Sequence, residues 1–168
     1  MMFWKKKSIK NTNYSVFQKF PVKYYQEQID KTAQITIGNA VTFREFCSIF
    51  VGENASLSLD NGTFFNNYCS INCLEKIVIG QQTMLGEGVK LYDHNHEINK
   101  KPLQVSKSNF KTAPIIIGDN CWIGSNVTIL KGVIIGNNVI IGANCLIYQS
   151  IPDNCIVKHS ENLLITQF

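Results

Sequence analysis

No stretch of these 168 residues strings together the roughly 18 apolar positions that a membrane span requires, and only 17% of the residues are charged. The opening Met1-Met2-Phe3-Trp4-Lys5-Lys6-Lys7 has charge but lacks the apolar stretch of a secretory signal behind it. The chain is therefore expected to stay in the cytoplasm. Six Cys are present without a single Cys-x-x-Cys pair, which removes the commonest zinc and redox spacings, and a cytoplasmic chain rarely keeps disulfides. Only three His are available for acid–base work. Residues 1–31 carry no clean helical stripe.

What is present is a period of six. An aliphatic residue returns at Ile117, Ile123, Ile129, Ile135, Ile141 and Ile147. Gly follows at Gly118, Gly124, Gly136 and Gly142, and Cys121, Val127, Val133, Val139, Cys145 and Ile151 stand four residues after each Ile. Helices need a period of 3.6 and ordinary strands a period of two, so six fits neither. It fits a repeat in which one short strand and one turn form a flat side of a β-helix. Three sides close a coil, the large aliphatic points inward, and the small residue fills the corner. Cys47, Cys69, Cys121 and Cys145 fall on that small slot, so they read as small hydrophobes rather than as ligands or nucleophiles.

Taken in order, residues 1–31 show no such period and are expected to cap the stack, with a short strand-and-helix entry over Gln18–Asp30 broken by Pro21. They carry seven Lys against Glu27 and Asp30, while the remainder carries eight Lys and Arg44 against ten acids. A near-neutral repeat region argues against a nucleic-acid groove, and the basic, aromatic N-terminus suits at most a weak peripheral membrane contact. The period begins at 32 with Ile37, Phe43 and Ile49, resumes at Leu59, Phe65 and Ile71, and again at Ile79, Leu85 and Leu91. Coil starts at 37, 59, 79, 117 and 135 give five coils spaced 22, 20, 38 and 18 residues apart. The domain reading is a cap over 1–31, a β-helix over 32–157 with a loop over 95–114, and a tail over 158–168. The loop reads as a structureless excursion of roughly 20 residues, a length more often functional than not.

Two of the three His flank that loop in Leu91-Tyr92-Asp93-His94-Asn95-His96-Glu97. Imidazole titrates near neutral pH, and a carboxylate beside it can fix its tautomer, which is what a general base needs.

Ile117-Gly118-Asp119-Asn120-Cys121-Trp122-Ile123-Gly124-Ser125, its flanking repeats and the His-bearing loop resemble the left-handed β-helix hexapeptide-repeat acyltransferases, nearest the galactoside, maltose and polysaccharide O-acetyltransferase branch. The resemblance covers residues 32–157. It implies an all-β, left-handed parallel β-helix, a homotrimer with sites between subunits, acetyl-CoA as co-substrate with no metal, and a sugar or glycan acceptor. Carried over position by position, it implies His96 as general base, with Asn66 near the acceptor and Asp93 or Glu97 orienting His96. His94 would bind the acceptor, Trp122 would wall the site, and Ser125 and Ala143 would line the CoA cleft. Two family signatures near the CoA nucleotide are replaced by Tyr148-Gln149 and His159-Ser160-Glu161-Asn162-Leu163, which leaves Lys131 and Lys158 as the candidates for the CoA phosphates. N-acetylation of an amino-sugar nucleotide and a non-catalytic scaffold are the alternatives. A γ-carbonic-anhydrase-like metal enzyme would need His94, His96 and His159 as ligands and is disfavoured, because His159 lies far along the coil axis.

Overall fold

A computed structural model describes residues 7–9 and 26–158. Three six-stranded sheets run along the molecule, each taking one short strand from every coil. The first sheet holds Gln34–Ile37, Ser56–Leu59, Lys76–Ile79, Ile115–Ile117 and Ile134–Ile135; the second holds Thr42–Phe43, Phe64–Phe65, Met84–Leu85, Trp122–Ile123, Ile140–Ile141 and Ile156–Val157. The third holds Gln26–Ile29, Ser48–Val51, Ser70–Cys73, Lys90–Tyr92, Thr128–Leu130 and Leu146–Ile147. All neighbours within these sheets are parallel and in register, as in Leu85 beside Ile123 and Ile123 beside Ile141. The exception is Lys7–Ile9, which pairs antiparallel with Gln34–Ile37 at one edge. Among the described residues no helix is long and apolar enough to cross a membrane.

The period of six is met by the packing. Leu59, Ile79, Ile117 and Ile135 stack inward along the first sheet, Phe43, Phe65, Leu85, Ile123 and Ile141 along the second, and Ile49, Ile71, Leu91, Ile129 and Ile147 along the third, all buried. The small slots Val41, Thr63, Thr83, Cys121 and Val139 are buried too. Where that slot is Thr the hydroxyl is satisfied: Thr83 Oγ1 donates to the Gly118 carbonyl at 2.8 Å and accepts the Cys121 N–H at 3.1 Å. That is what a buried polar atom requires.

The corners turn through left-handed residues, among them Asn120, Asn126, Asn138, Asn144 and Asn154, a conformation Asn tolerates better than most. Side chains then tie one coil to the next. Asp153 accepts the Asn137 N–H at 2.7 Å, Asn137 accepts that of Asp119 at 2.8 Å, and Asp119 accepts that of Gln81 at 3.0 Å. Coils lie so close here that a Cβ on Gly118 would stand 2.7 Å from the backbone carbonyl of Gly136.

Two features differ from the sequence expectation. Strand Gln26–Ile29 already belongs to the third sheet, paired with Ser48–Val51, although its side chains show no period of six. The insertion is no structureless loop: His94–Lys100 and Leu103–Thr112 form an antiparallel hairpin. A hairpin pairs with itself and needs only one face partly apolar, so its signal is the alternation around Ile98, Val105 and Phe110, which a search for hexapeptides passes over. The N-terminal membrane contact and the tail from His159 onward lie outside the described residues.

The six thiols are free; five are buried and Cys155 is half-buried. Cys69 is held above the ordinary thiol value by the neighbouring Cys47 side chain and by burial, and Cys73 by burial and by Asp93. Thiolates are the reactive form, so Ellman's reagent is expected to modify Cys155 first under native conditions and all six only after denaturation. Equally fast reaction of Cys69 or Cys73 in the folded protein would contradict this packing.

Candidate active site

The corner between the third and first sheets is where the insertion leaves the stack. Its two ends are joined: the Asp93 carbonyl accepts the Ala113 N–H at 2.9 Å, and the Ala113 carbonyl accepts that of Gly132, one coil on, at 3.2 Å. The hairpin root is thus held on the coil while the arm stands out from it.

Asp93 is fully buried. Its Oδ1 accepts the Leu74 N–H at 2.8 Å, and its Oδ2 those of Leu74, Glu75 and Lys76 at 3.0, 2.7 and 2.9 Å. The His94 Nδ1 lies 3.1 Å from Asp93 Oδ1. An ionised carboxylate can only accept, so Nδ1 is the donor in this contact. The His94 side chain is 16% exposed. It meets Tyr92 edge-on at 6.3 Å and Phe110 edge-on at 5.1 Å between ring centroids.

His96 stands two residues along the same hairpin strand and is exposed. Its Nδ1 is 2.8 Å from the Ser106 carbonyl, and its ring lies 4.8 Å from that of Phe110. Ser106 is itself fixed, its Oγ accepting the N–H groups of Ser108 and Asn109 at 3.3 and 2.9 Å. Both imidazoles therefore have Nδ1 engaged and share one face of the hairpin through Phe110. The expected pairing of Asp93 with His96 is not made; the carboxylate serves His94. Glu97 sits half-buried at the bulge between His96 and Ile98.

The other candidates lie elsewhere on the coil. Asn66, at the corner between the second and third sheets, accepts the Asn67 N–H at 2.9 Å and approaches the Arg44 guanidinium at 3.5 Å. Ser125 and Ala143 occupy that same corner in later coils, with the Ser125 carbonyl accepting the Asn144 N–H at 2.9 Å. Trp122 points outward from the second sheet, 53% exposed, in a ladder between Met84 and Ile140. Lys131 follows Leu130, the register partner of Tyr92, and so stands one coil beyond Asp93. Lys158 is exposed beyond the last strand of the second sheet. Val89 and Asp93 mark the two ends of one side, roughly 13 Å apart at about 3.3 Å per residue. Within one chain, then, the histidines are not brought together with Asn66, Trp122, Ser125 or Ala143.

Sequence reasoning assigned nothing to Phe110 or Ser106. The aromatic inside a polar insertion was the available signal for the first; the second acts through its backbone and left none. Among the described residues no cluster of three His, Cys, Asp or Glu is arranged to hold a metal, and His159 lies outside them.

Residues 114–149 match the family model described as bacterial transferase hexapeptide (six repeats). This is a hexapeptide-repeat protein. An Escherichia coli (strain K12) relative, provisionally named a lipopolysaccharide biosynthesis O-acetyl transferase, is 36% identical over 94 residues, which are 52% of this chain and 48% of that one. A Bacillus subtilis relative, provisionally named an acetyltransferase, is 31% identical over 115 residues, 68% of this chain and 58% of its own. This chain spans about half the length of these curated relatives. Among solved structures, a hexapeptide-repeat-containing acetyltransferase of Vibrio cholerae in complex with acetyl coenzyme A superposes with a TM-score of 0.54 at 20% identity, over 83% of this chain and 67% of that one. A Bacillus cereus N-acyltransferase in complex with dTDP and coenzyme A does so with a TM-score of 0.58 at 20% identity, over 88% and 86%. At such identities the shared feature is the β-helix itself.

Proposed function

We propose that this protein transfers the acetyl group of acetyl-CoA to a hydroxyl of a sugar or surface-glycan precursor, with His94 as general base. The observation that carries the reading is an imidazole at the root of the large insertion of a hexapeptide β-helix, with Nδ1 held by a buried carboxylate. His94 is preferred to His96, the base the sequence suggested, because it is less exposed and packed between two aromatic rings. His96 then becomes the acceptor-binding imidazole.

In this reading His94 Nε2 takes the proton of the acceptor hydroxyl as its oxygen bonds to the thioester carbonyl carbon. The C–S bond breaks, and the imidazolium returns the proton to the departing sulfur. No covalent enzyme intermediate is needed, so both substrates are held together on the protein, and the buried thiols take no part. Positioned base catalysis of this kind is worth about 10²–10⁴-fold in rate. The chemistry named for the E. coli relative and the acetyl-CoA complex of the V. cholerae structure support the donor and the hydroxyl acceptor. The N-acyltransferase likeness favours a second reading, an amino-sugar nucleotide as acceptor.

The reading includes a homotrimer. The histidines lie at one end of a coil side and Trp122, Ser125 and Ala143 lie beyond the other, a separation that side-by-side copies closed around an axis would remove. Lys131 and Lys158 are the candidates for the CoA phosphates. A thiol-release assay with acetyl-CoA against a panel of sugars and sugar nucleotides is expected to give acceptor-dependent CoA release. Acetyl-CoA at a hundred times its Kd should add about 2.7 kcal/mol of stability. Neither release nor stabilisation would leave a non-catalytic scaffold as the better description.

A further inference from the structure

We infer that Tyr68, backed by Phe46, is a stacking platform for a neutral pyranose ring, in the notch above Gly88. The choice of a sugar as occupant rests on the acceptor class proposed above; the platform itself stands on the coil geometry. The corner between the second and third sheets sets a left-handed residue in successive coils: Phe46, Tyr68, Gly88, Asn126 and Asn144, with φ of 60°, 61°, 69°, 57° and 61°. They form one column, because the strands that follow are in register, Ser48 beside Ser70, Ser70 beside Lys90 and Lys90 beside Thr128. Backbone bonds tie the rungs as well: the Glu45 carbonyl accepts the Tyr68 N–H, and the Asn67 carbonyl accepts that of Gly88. Gly and Asn suit this conformation, whereas a bulky side chain crowds its own backbone there. Aromatic residues at two successive rungs are therefore outliers. Neither ring fills the coil interior, since Phe46 is 45% and Tyr68 54% exposed. Strain that the core does not require points to a task at the surface.

The two rings lie face to face, centroids 5.1 Å apart and planes 6° from parallel. Phe46 thus backs one face of Tyr68, and the other face looks along the column to the Gly88 rung, which has no side chain. The Asn126 Oδ1 stands in the space a Gly88 Cβ would need, and the Lys90 Nζ donates to the Gly88 carbonyl at 3.0 Å. An aromatic face bordered by an amide and an ammonium group matches a pyranose, whose C–H groups cover the flat of the ring and whose hydroxyls line its edge. Charge selects against a nucleotide. Glu45 and Glu87, both exposed, directly precede the rungs on either side of Tyr68 and offset Arg44 and Lys90, so the notch holds no surplus of positive charge for a pyrophosphate. Asn66, the residue expected near the acceptor, precedes Tyr68 by two at the same corner, so the notch would extend that site by a further sugar unit.

Saturation-transfer NMR without acetyl-CoA tests the platform on maltohexaose, chitohexaose and isomaltohexaose, with UDP as the control. At least one hexasaccharide is expected to receive signal at its ring C–H protons. That signal should fall about tenfold in Tyr68→Asn and stay within about twofold in Tyr68→Phe, which keeps the ring. Asn suits a left-handed rung, as Asn126 and Asn144 do, so Tyr68→Asn is expected to fold, with circular dichroism as the check. No signal on any hexasaccharide, or equal signal in wild type and Tyr68→Asn, would overturn the proposal. So would a Tyr68-dependent signal on UDP alone, which would make the ring a platform for a base. Saccharide binding through Tyr68 with no CoA release in the transfer assay would sink the proposed chemistry and leave the platform standing. Acceptor-dependent CoA release without Tyr68-dependent binding would do the reverse.

Discussion

His94→Ala is expected to reduce acetyl transfer by about 10²–10⁴-fold while leaving the β-helix and acetyl-CoA binding intact. The side chain is confined to the hairpin root, where it meets Asp93 through Nδ1 and packs against Tyr92 and Phe110. Its loss takes nothing from the inward columns that hold the coils together. His96→Ala should act differently, raising KM for the acceptor more than it lowers kcat, because the proposed reading gives acceptor binding to this exposed ring, held by the Ser106 carbonyl and packed on Phe110. Acceptor-dependent CoA release measured for both variants settles the order. Near wild-type turnover by His94→Ala, with none from His96→Ala, would return the base to His96.

Phe65→Ala should be the most destabilising single truncation, costing about 3–5 kcal/mol. Phe65 is fully buried on the second sheet and stacks on Phe43 of the preceding coil, centroids 4.3 Å apart and planes 9° from parallel. The columns run through fixed coil spacings, so no neighbour can move in to fill the space without breaking register. For a chain of this size the thermal midpoint should drop by about 6–20 °C, read by circular dichroism at several scan rates. A drop under 2 °C would mean that the coil interior relaxes far more freely than in-register stacking allows. Coil-by-coil melting, rather than one transition, is also a permitted outcome for a repeat array.

How much of this was legible beforehand follows from which groups carry each feature. The coil starts at 37, 59, 79, 117 and 135 could be read because inward aliphatics and small corner residues are side-chain requirements, and Leu59, Ile79, Ile117 and Ile135 fill them. The place of Gln26–Ile29 in the third sheet was not legible because it depends on backbone pairing with Ser48–Val51 rather than on an inward aliphatic column. The hairpin was missed for a related reason: Ile98 pairs with Val105 across two strands that bury nothing in the coil. The site shows the same division. The histidine pair, its carboxylate and Trp122 announce themselves by type, but what turns Asp93 toward His94 is a set of amides at 74–76, and an amide has the same appearance in every sequence. Alternation alone would have set Asp93 apart from both rings.

The single hydrogen bond between Asp93 and Ala113 makes the 94–112 arm a cassette. Its two ends meet where any other coil would place an ordinary turn, as at Lys131-Gly132-Val133, so the arm's length and composition are free of the coil's pitch. New acceptors could be accommodated by exchanging the arm beyond His94 and His96, while Asp93 and the amides that hold it stay behind in the part that does not change.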